Sequence, residues 1–340
     1  MKKQFLVLIG VLLSFTSCEK EEIVIENKVS TELILVANEG NFGASNGSVS
    51  VIKDEQIIQT IPNIGDVVQS LLVHQNKLFV AVNNSHKINI YDITENGLLL
   101  PGIEVDTNGS SPREMTVVNN KLYFTNWNTQ DVKILNLFTY DFETSIKVDG
   151  LPESIVHNGE SIFVGIMMNE DYSDASTVLK INPQTNSIVS TFEVGEGPTS
   201  LLVMDKELLV ARTFYDSNWN ASYGTSMVEL MDDGGSSGPI TIVDYGAGVV
   251  CGGSIHSFKG NPYRSYLGGV AQLSRDLSID ENSLVGFTDD SNVYSVETIN
   301  DKVYIGTLDG YVKVLSEDGV ELNTLKVGEF PGDFEYWSNK

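Results

Sequence analysis

The sequence predicts an all-β fold, a seven-bladed β-propeller with four antiparallel strands per blade. Two observations predict it. A short strand motif recurs along the chain at nearly constant spacing, and the two ends of the chain hold incomplete units that complete each other. Elsewhere, short apolar alternations are separated by Gly, Asn, Asp and Pro, which is typical of strands and turns rather than helices.

The recurring motif is a short apolar strand that follows a tight turn. It occurs at residues 77–80, 121–124, 161–164, 207–210 and 302–305, and residues 32–36 open the series. Neighbouring copies start 40 to 46 positions apart, except for one double interval that leaves room for a degenerate unit at residues 253–277. Seven units of this length, with four strands each, are typical of a propeller and its blades.

The two ends of the chain indicate how the ring closes. Residues 327–336 form another lead-in turn and first strand, after which the chain stops, whereas the opening unit at residue 32 begins with its second strand. We therefore expect the C-terminal strand to complete the first blade, so that the sheet edges at the junction are covered. A solenoid would not predict complementary half-units at its ends. Two separate sandwich domains are the alternative, against which the regular period of the repeat argues.

The amino terminus is interpreted as a targeting segment. Lys2 and Lys3 precede an apolar run at residues 5–13, which is shorter than the ~20 residues that span a bilayer. The small residues before Cys18 resemble the lipobox of bacterial lipoproteins, which implies lipidation of Cys18. Residues 1–17 are then a lipoprotein signal peptide, residues 18–31 a lipidated flexible tether, and residues 32–340 the propeller. A plain secreted protein is the alternative.

The charge balance bears on partners and location. The chain carries 46 acidic and 21 basic side chains, a formal net charge of −25, which repels nucleic acid. An acidic run at residues 19–22 directly follows Cys18 and looks like the surface-export signal of Bacteroidetes lipoproteins, although a solvated linker gives the same pattern. We expect an outer-membrane, lipid-anchored protein exposed at the cell surface, whose only membrane contact is its anchor.

Motifs for chemistry are sparse in the sequence. It holds no His-Glu-x-x-His zinc motif and no phosphate-cradling loop, and its two cysteines are too few for a disulfide framework. No blade position repeats an acidic residue or a histidine, as a central metal or catalytic site would need. We therefore expect a chain that is not an enzyme and uses no metal or cofactor.

Aromatic and amide side chains gather instead in the loops. In a propeller, the loops between second and third strands share one face with the loops between blades, and loops carry function. Aromatic rings supply contact area and Asn side chains both donate and accept hydrogen bonds, a mixture that suits a large ligand with a flat apolar surface and amide arms. The candidate ligand-binding residues are Asn41, Phe42, Asn84, Arg113, Asn126, Trp127, Tyr172, Arg212, Phe214, Tyr215, Asn218, Trp219 and Tyr223.

The repeat resembles the YncE-like seven-bladed propellers. Residues 34–43, which read Ile-Leu-Val-Ala-Asn-Glu-Gly-Asn-Phe-Gly, follow a lipoprotein leader and are similar to the surface lipoprotein propellers of Bacteroidetes, a group that includes the BtuG-type lipoproteins. This resemblance implies capture of cobalamin or another corrinoid as a transported ligand, and transfer to a TonB-dependent outer-membrane transporter. Surface glycan or protein binding is the alternative, and a lactonase-like or quinoprotein-like enzyme is a third reading.

Overall fold

The computed structural model describes residues 30–231, 236, 238–248 and 253–340. Within these ranges the chain forms 29 β-strands and no α-helix, so the described residues include no helix able to cross a membrane. The predicted signal peptide, Cys18 and the tether up to residue 29 lie outside the described residues, and their assignment stays a prediction.

Seven sheets, each with four antiparallel strands, form the blades. From the axis outward, blade 1 consists of β29 (Pro331–Ser338), β1 (Glu32–Asn38), β2 (Gly47–Lys53) and β3 (Gln56–Gly65). Blade 2 consists of β4 (Val68–His74), β5 (Lys77–Val82), β6 (Lys87–Thr94) and β8 (Ile103–Asp106), with the short β7 (Gly97–Leu98) also paired to β6. Blade 3 consists of β9 (Pro112–Val118), β10 (Lys121–Asn126), β11 (Asp131–Asn136) and β12 (Phe142–Lys147).

The remaining blades follow the same order. Blade 4 consists of β13 (Leu151–His157), β14 (Ile162–Met168), β15 (Asp174–Asn182) and β16 (Ser187–Glu193). Blade 5 consists of β17 (Pro198–Met204), β18 (Glu207–Tyr215), β19 (Ala221–Glu229) and β20 (Thr241–Ala247). Blade 6 consists of β21 (Ile255–Phe258), β22 (Asn261–Tyr266), β23 (Gly268–Leu273) and β24 (Ile279–Phe287). Blade 7 consists of β25 (Val293–Ile299), β26 (Lys302–Thr307), β27 (Tyr311–Ser316) and β28 (Glu321–Lys326).

The blades form a closed ring around one axis. Inner strands β29, β4, β9, β13, β17, β21 and β25 contact one another in that order, and β25 contacts β29 again. The predicted seven-bladed propeller is therefore confirmed, and blade 6 occupies the interval that the sequence pattern left degenerate. Apolar side chains pack between neighbouring blades because each sheet has two faces to bury.

The C-terminal strand closes the ring, as the half-units predict. Strand β29 pairs with β1 from Glu32 opposite Ser338 to Asn38 opposite Pro331. Near its end, Trp337 is only 5% exposed and packs in the apolar cluster shared by blades 1 and 2. The indole Nε1 of Trp337 donates to Oδ1 of Asn76, 3.1 Å away, in the turn between β4 and β5. The Trp337 side chain thus links the C-terminal strand to blade 2.

Polar side chains near the start of the inner strands link successive blades. Ser70 Oγ donates to the Arg113 carbonyl of the next blade at 2.5 Å, and Ser295 Oγ donates to the Pro331 carbonyl at 2.6 Å. Asp333 Oδ2 accepts from the Leu71 backbone at 2.6 Å. We call the residues at this position the inner ring. Its members, one per blade, are Asp333, Ser70, Glu114, Ser154, Ser200, Ser254 and Ser295.

Replacing Trp337 by alanine tests the closure. We expect Trp337→Ala to lower the free energy of unfolding by about 3–5 kcal/mol, because it removes a buried aromatic ring and its bond to Asn76. The matched control is Trp219→Ala, since Trp219 is 67% exposed, and its expected effect is within about 0.5 kcal/mol. Urea denaturation of both variants measures the difference, and equal effects would contradict the closing role of β29.

Candidate functional site

The loops between second and third strands and the loops between blades do share one end of the ring, which we call the loop face. In blades 1, 2 and 3 the second strand is followed by a backbone hydrogen bond to the preceding interblade loop. The Glu39 N–H donates to the Phe330 carbonyl at 2.9 Å, the Asn83 N–H to Val67 at 2.8 Å, and the Trp127 N–H to Ser111 at 3.2 Å. These bonds hold the two kinds of loop side by side.

Three predicted aromatic residues project from the loop face into solvent. Phe42 is 82% exposed in blade 1, Tyr172 is 60% exposed in blade 4, and Trp219 is 67% exposed in blade 5. Tyr172 and Trp219 have positive φ angles of 64° and 62°, at the tips of turns closed by bonds to the Asn169 and Asp216 carbonyls. Positive φ is uncommon for bulky residues, so tightly constrained turns present these two rings.

The buried carboxylate of Asp66 holds in place the two loops that carry the predicted residues Asn41 and Asn84. The sequence pattern did not indicate Asp66. Asp66, 5% exposed, accepts two bonds from the Gly43 backbone at 2.9 and 3.0 Å and one from Asn84 Nδ2 at 2.5 Å. Asn41, two residues before Gly43, is held by a backbone bond to Asn46 Oδ1 at 2.8 Å. Asp66 therefore positions two neighbouring loops, while the side chain of Asn41 is exposed.

Arg113 and Trp127 form a rigid group near the axis. The Arg113 guanidinium bonds Glu153 twice, at 2.9 and 2.5 Å, and donates to Gln69 Oε1 at 2.6 Å. It also lies 4.5 Å from the centroid of the Trp127 ring, within the range of a cation–π interaction. The Trp127 Nε1 is buried without a hydrogen-bond partner. Trp127 is half-buried rather than fully displayed to solvent.

Two predicted ligand contacts are interior residues in the structure. Asn126 is 0% exposed and bonds Ser110, Phe124 and Asp131, so its amide is fully used within blade 3. Arg212 is 2% exposed and bonds the Asp244 carboxylate. Both stand at or near the end of a strand, where a polar side chain turns back into the blade instead of outward to the loop face.

The aromatic residues of blade 5 divide between surface and interior. Tyr215 is half-buried, with its ring centroid 6.0 Å from that of Trp219. Phe214 is half-buried against the Arg212 guanidinium at 5.3 Å. Tyr223 packs against Tyr245 at 5.2 Å, and the buried cation of Arg264 lies 5.1 Å from its ring. Asn218 is exposed in the same loop as Trp219. The structure therefore keeps Trp219, Tyr215 and Asn218 together at the surface.

A hollow of about 380 Å³ opens on the loop face beside the axis. Phe42, Asn83, Arg113 and Tyr294 line it, and the Tyr294 ring lies 5.4 Å from the ring of Phe330. We call it the mouth hollow. The sequence pattern did not indicate Tyr294, because it lies in strand β25 and not in a loop. A larger hollow of about 620 Å³ lies at the opposite end of the ring between blades 7 and 1.

The mouth hollow leads to a cavity of about 460 Å³ on the axis, which we call the channel. Residues of six inner strands line it, together with Gly253 and Ser254, which directly precede the seventh inner strand, β21. No Lys or Arg occurs among its described lining residues, whereas five carboxylates do: Glu39, Glu114, Glu153, Glu297 and Asp333. Within the described part of the chain, no three His, Cys, Asp or Glu side chains converge as ligands for a metal ion.

The sequence pattern did not indicate the channel acids because they are spread over several blade positions, with only Glu114 and Asp333 at the inner-ring position. Glu153 stands one residue before its inner-ring neighbour Ser154, Glu297 stands two residues after Ser295, and Asp333 is itself an inner-ring residue. A search for one recurring acid therefore found nothing. The ring geometry brings these different positions to the same axis.

Burial and the proximity of other acidic groups raise the pKa of several carboxyl groups at the axis. Burial, with repulsion from Glu297, raises the pKa of Asp333 from 3.8 to about 7. Burial, with repulsion from Asp333, raises the pKa of Glu335 from 4.5 to about 8. The pKa of Glu114 is also raised well above its usual value by burial and by Asp333. In the fold these groups favour their neutral, protonated forms.

The raised pKa values predict a loss of stability as pH rises. Between about pH 4 and pH 8 the folded chain holds protons at Asp333 and Glu335 that the unfolded chain releases, so the free energy of unfolding falls with pH until the folded groups ionise. We expect the urea midpoint to decrease from pH 5 to pH 8, and Glu335→Gln to flatten that decrease. The control is the exposed Glu160→Gln. A midpoint that rises over this range, or equal slopes for both variants, would contradict the prediction.

Comparison with known proteins supports the fold. No family model and no curated protein matches the chain. Among solved structures, it is similar to a protein from Lactobacillus plantarum (10% identity, TM-score 0.64, 90% of this chain and 99% of that one). It is also similar to a putative 6-phosphogluconolactonase from Bacteroides fragilis (12%, 0.62, 92% and 99%) and to apo AztD from Citrobacter koseri (12%, 0.57, 91% and 99%). At these identities the likeness shows a shared β-propeller fold alone.

Proposed function

We propose that this chain captures cobalamin or a related corrinoid on its loop face, as a surface lipoprotein anchored through Cys18. One observation carries the proposal: Phe42, Tyr172 and Trp219, all more than half exposed, stand on the same face of one rigid ring. Large exposed aromatic groups that are rimmed by polar residues commonly mark binding surfaces.

The rings offer contact area that the fold itself does not use. An aromatic side chain can bury about 150–250 Å² against a partner, so three of them supply a substantial apolar surface. The turns that present Tyr172 and Trp219 are constrained, and the loop of Phe42 is held by Asp66. A surface ordered in advance loses little conformational entropy when a ligand binds.

Amide side chains stand beside the rings. Asn41, Asn84 and Asn218 are exposed at the loop face, and each amide can both donate and accept hydrogen bonds. A corrin ring edged with acetamide and propionamide arms presents the same two chemistries, a flat apolar body and amide groups. The mouth hollow, at about 380 Å³, has room for one such arm.

Capture on this face needs no bond to be made or broken. In the proposal the ligand leaves the loop face chemically unchanged and passes to a TonB-dependent outer-membrane transporter. The lipid anchor keeps the propeller on the membrane that holds the transporter. Aromatic rings and amides also suit a glycan, which is the second candidate for the same surface, and a binding test separates the two.

Titration of the purified propeller with cyanocobalamin tests the proposal. We expect saturable binding by calorimetry, and a loss of affinity of about tenfold or more for Trp219→Ala or Phe42→Ala, because central aromatic contacts carry much of a binding energy. The matched control is Phe138→Ala. Phe138 is equally exposed at 78%, but it lies between β11 and β12 at the opposite end of the ring.

The outcomes are distinct. An absence of binding at micromolar cyanocobalamin removes the corrinoid assignment. Binding of a glycan that Trp219→Ala weakens, without cobalamin binding, supports the loop face as a capture surface and replaces the ligand. Equal losses for Phe138→Ala and Trp219→Ala would show that the loop face is not the binding surface.

A further inference from the structure

Three side chains at the channel wall form a connected hydrogen-bonded chain. Ser254 Oγ lies 2.8 Å from His256 Nε2, and His256 Nδ1 lies 3.0 Å from Glu297 Oε1. The serine and histidine come from the start of blade 6, and the glutamate from inner strand β25 of blade 7. A nucleophile, a base and a group that orients the base stand here in the order that activates a serine.

The hydrogen-bond partners of His256 determine which of its ring nitrogens carries the proton. The Glu297 carboxylate can only accept from Nδ1, so His256 carries its proton there and Nε2 is free to accept the Ser254 hydroxyl. Glu297 Oε1 also accepts from the Thr298 N–H at 2.7 Å, which fixes the carboxylate. Ser265 Oγ lies 2.8 Å from Ser254 Oγ, and its hydroxyl can occupy the remaining lone pair of that oxygen. His256 is 3% exposed and cannot turn away.

Ser254 differs from the other inner-ring serines in what it bonds. Ser70 and Ser295 make short bonds to a carbonyl of the next blade, at 2.5 and 2.6 Å. The contact from Ser254 to a carbonyl of the next blade, that of Val296, is 3.4 Å, near the limit for a hydrogen bond. The hydroxyl of Ser254 is therefore available to His256 rather than committed to linking blades.

The cavity supplies access and a charge preference. Ser254 and Glu297 both line the channel of about 460 Å³, which has room for a small ester. Glu39, Glu114 and Asp333 line the same cavity without a compensating Lys or Arg among the described lining residues. Whether these carboxyl groups are protonated or ionised, the wall offers an anionic substrate no cationic partner, so the cavity favours neutral or cationic substrates.

We propose that Ser254 is the nucleophile of a second, hydrolytic site in the channel, which takes small neutral or cationic esters. This activity goes beyond the capture on the loop face. Ser254 Oγ bonds the ester carbonyl carbon while His256 Nε2 takes its proton. The carbon–oxygen bond to the leaving group then breaks, and His256 returns the proton to the departing alcohol.

The acyl group is then removed by water. His256 Nε2 takes a proton from the water as its oxygen bonds the acyl carbon, the bond to Ser254 Oγ breaks, and the proton passes back to Ser254. The balance is ester plus water to acid plus alcohol, with no other reactant. Glu297 is a positioning residue, because it acts on the substrate only through His256.

Hydrolysis of 4-nitrophenyl acetate by the full propeller tests the site. We expect turnover above the buffer rate, a fall of about a thousandfold or to the buffer rate in Ser254→Ala, and a comparable fall in His256→Gln. Glu297→Gln is expected to lower kcat with little change in KM. The matched control is Ser70→Ala, which removes the hydroxyl at the same inner-ring position of blade 2, outside the lining of the cavity, and is expected to keep activity.

Covalent labelling makes the test independent of variant folding. Phenylmethylsulfonyl fluoride should inactivate the protein and modify Ser254, as mapped by mass spectrometry.

Ser45 is the alternative candidate for the nucleophile, since residues 43–47 have Gly-x-Ser-x-Gly spacing. However, those residues join two strands rather than a strand to a helix, and no histidine bond of the described residues involves Ser45. The neutral 4-nitrophenyl acetate should be hydrolysed faster than the anionic mono-4-nitrophenyl succinate, which has the same leaving group.

The proposal is overturned by any of three results. These are no turnover and no labelling in the wild-type chain, unchanged turnover in Ser254→Ala, or labelling at Ser45 instead. Cyanocobalamin binding at the loop face depends on other residues, so its success or failure is read separately from that of the hydrolytic site.

Discussion

The structure depends on the pairing of its last strand with its first. Residues some three hundred positions apart, such as Glu32 and Ser338, must meet before blade 1 is complete and the ring is closed. Forming such a contact has an entropic cost of loop closure, and the contact can form only after the last strand has been synthesised. Its stability comes from a full ladder of backbone bonds and from Trp337, which is buried where blades 1 and 2 meet.

Closure creates two environments of opposite character. At the loop face the chain is free to vary, because strands pack below it, and rings such as Phe42 and Trp219 can be left in water. At the axis, seven inner strands approach one another, and polar groups are removed from solvent. There burial raises the pKa of Glu335 to about 8, so this carboxyl group is protonated at neutral pH. In the same region the hydroxyl of Ser254 is hydrogen-bonded to His256.

The sequence predicts the strands that repeat along the chain, but it does not predict which distant residues the fold brings together. The spacing of the strand motif was sufficient to predict seven blades, and the half-units at the ends were sufficient to predict the closing strand. The burial of individual side chains was harder to predict. Asn126 and Arg212 stand beside exposed loop residues in the chain yet turn inward, because side-chain direction at a strand end depends on the local bulge and not on sequence distance. His256 and Glu297 are 41 residues apart, and no spacing rule links them.

The two proposed activities meet at one place. Glu39 and Gln69 line both the mouth hollow and the channel, so the path from solvent on the loop face to Ser254 runs beside the residues that would contact a captured ligand. A ligand large enough to span Phe42 and Trp219 covers that path. In the two proposals a captured corrinoid blocks the route of small esters from the loop face, and the corrinoid itself is too large to enter a cavity of about 460 Å³. Size alone therefore separates what is held at the rim from what can react at the axis.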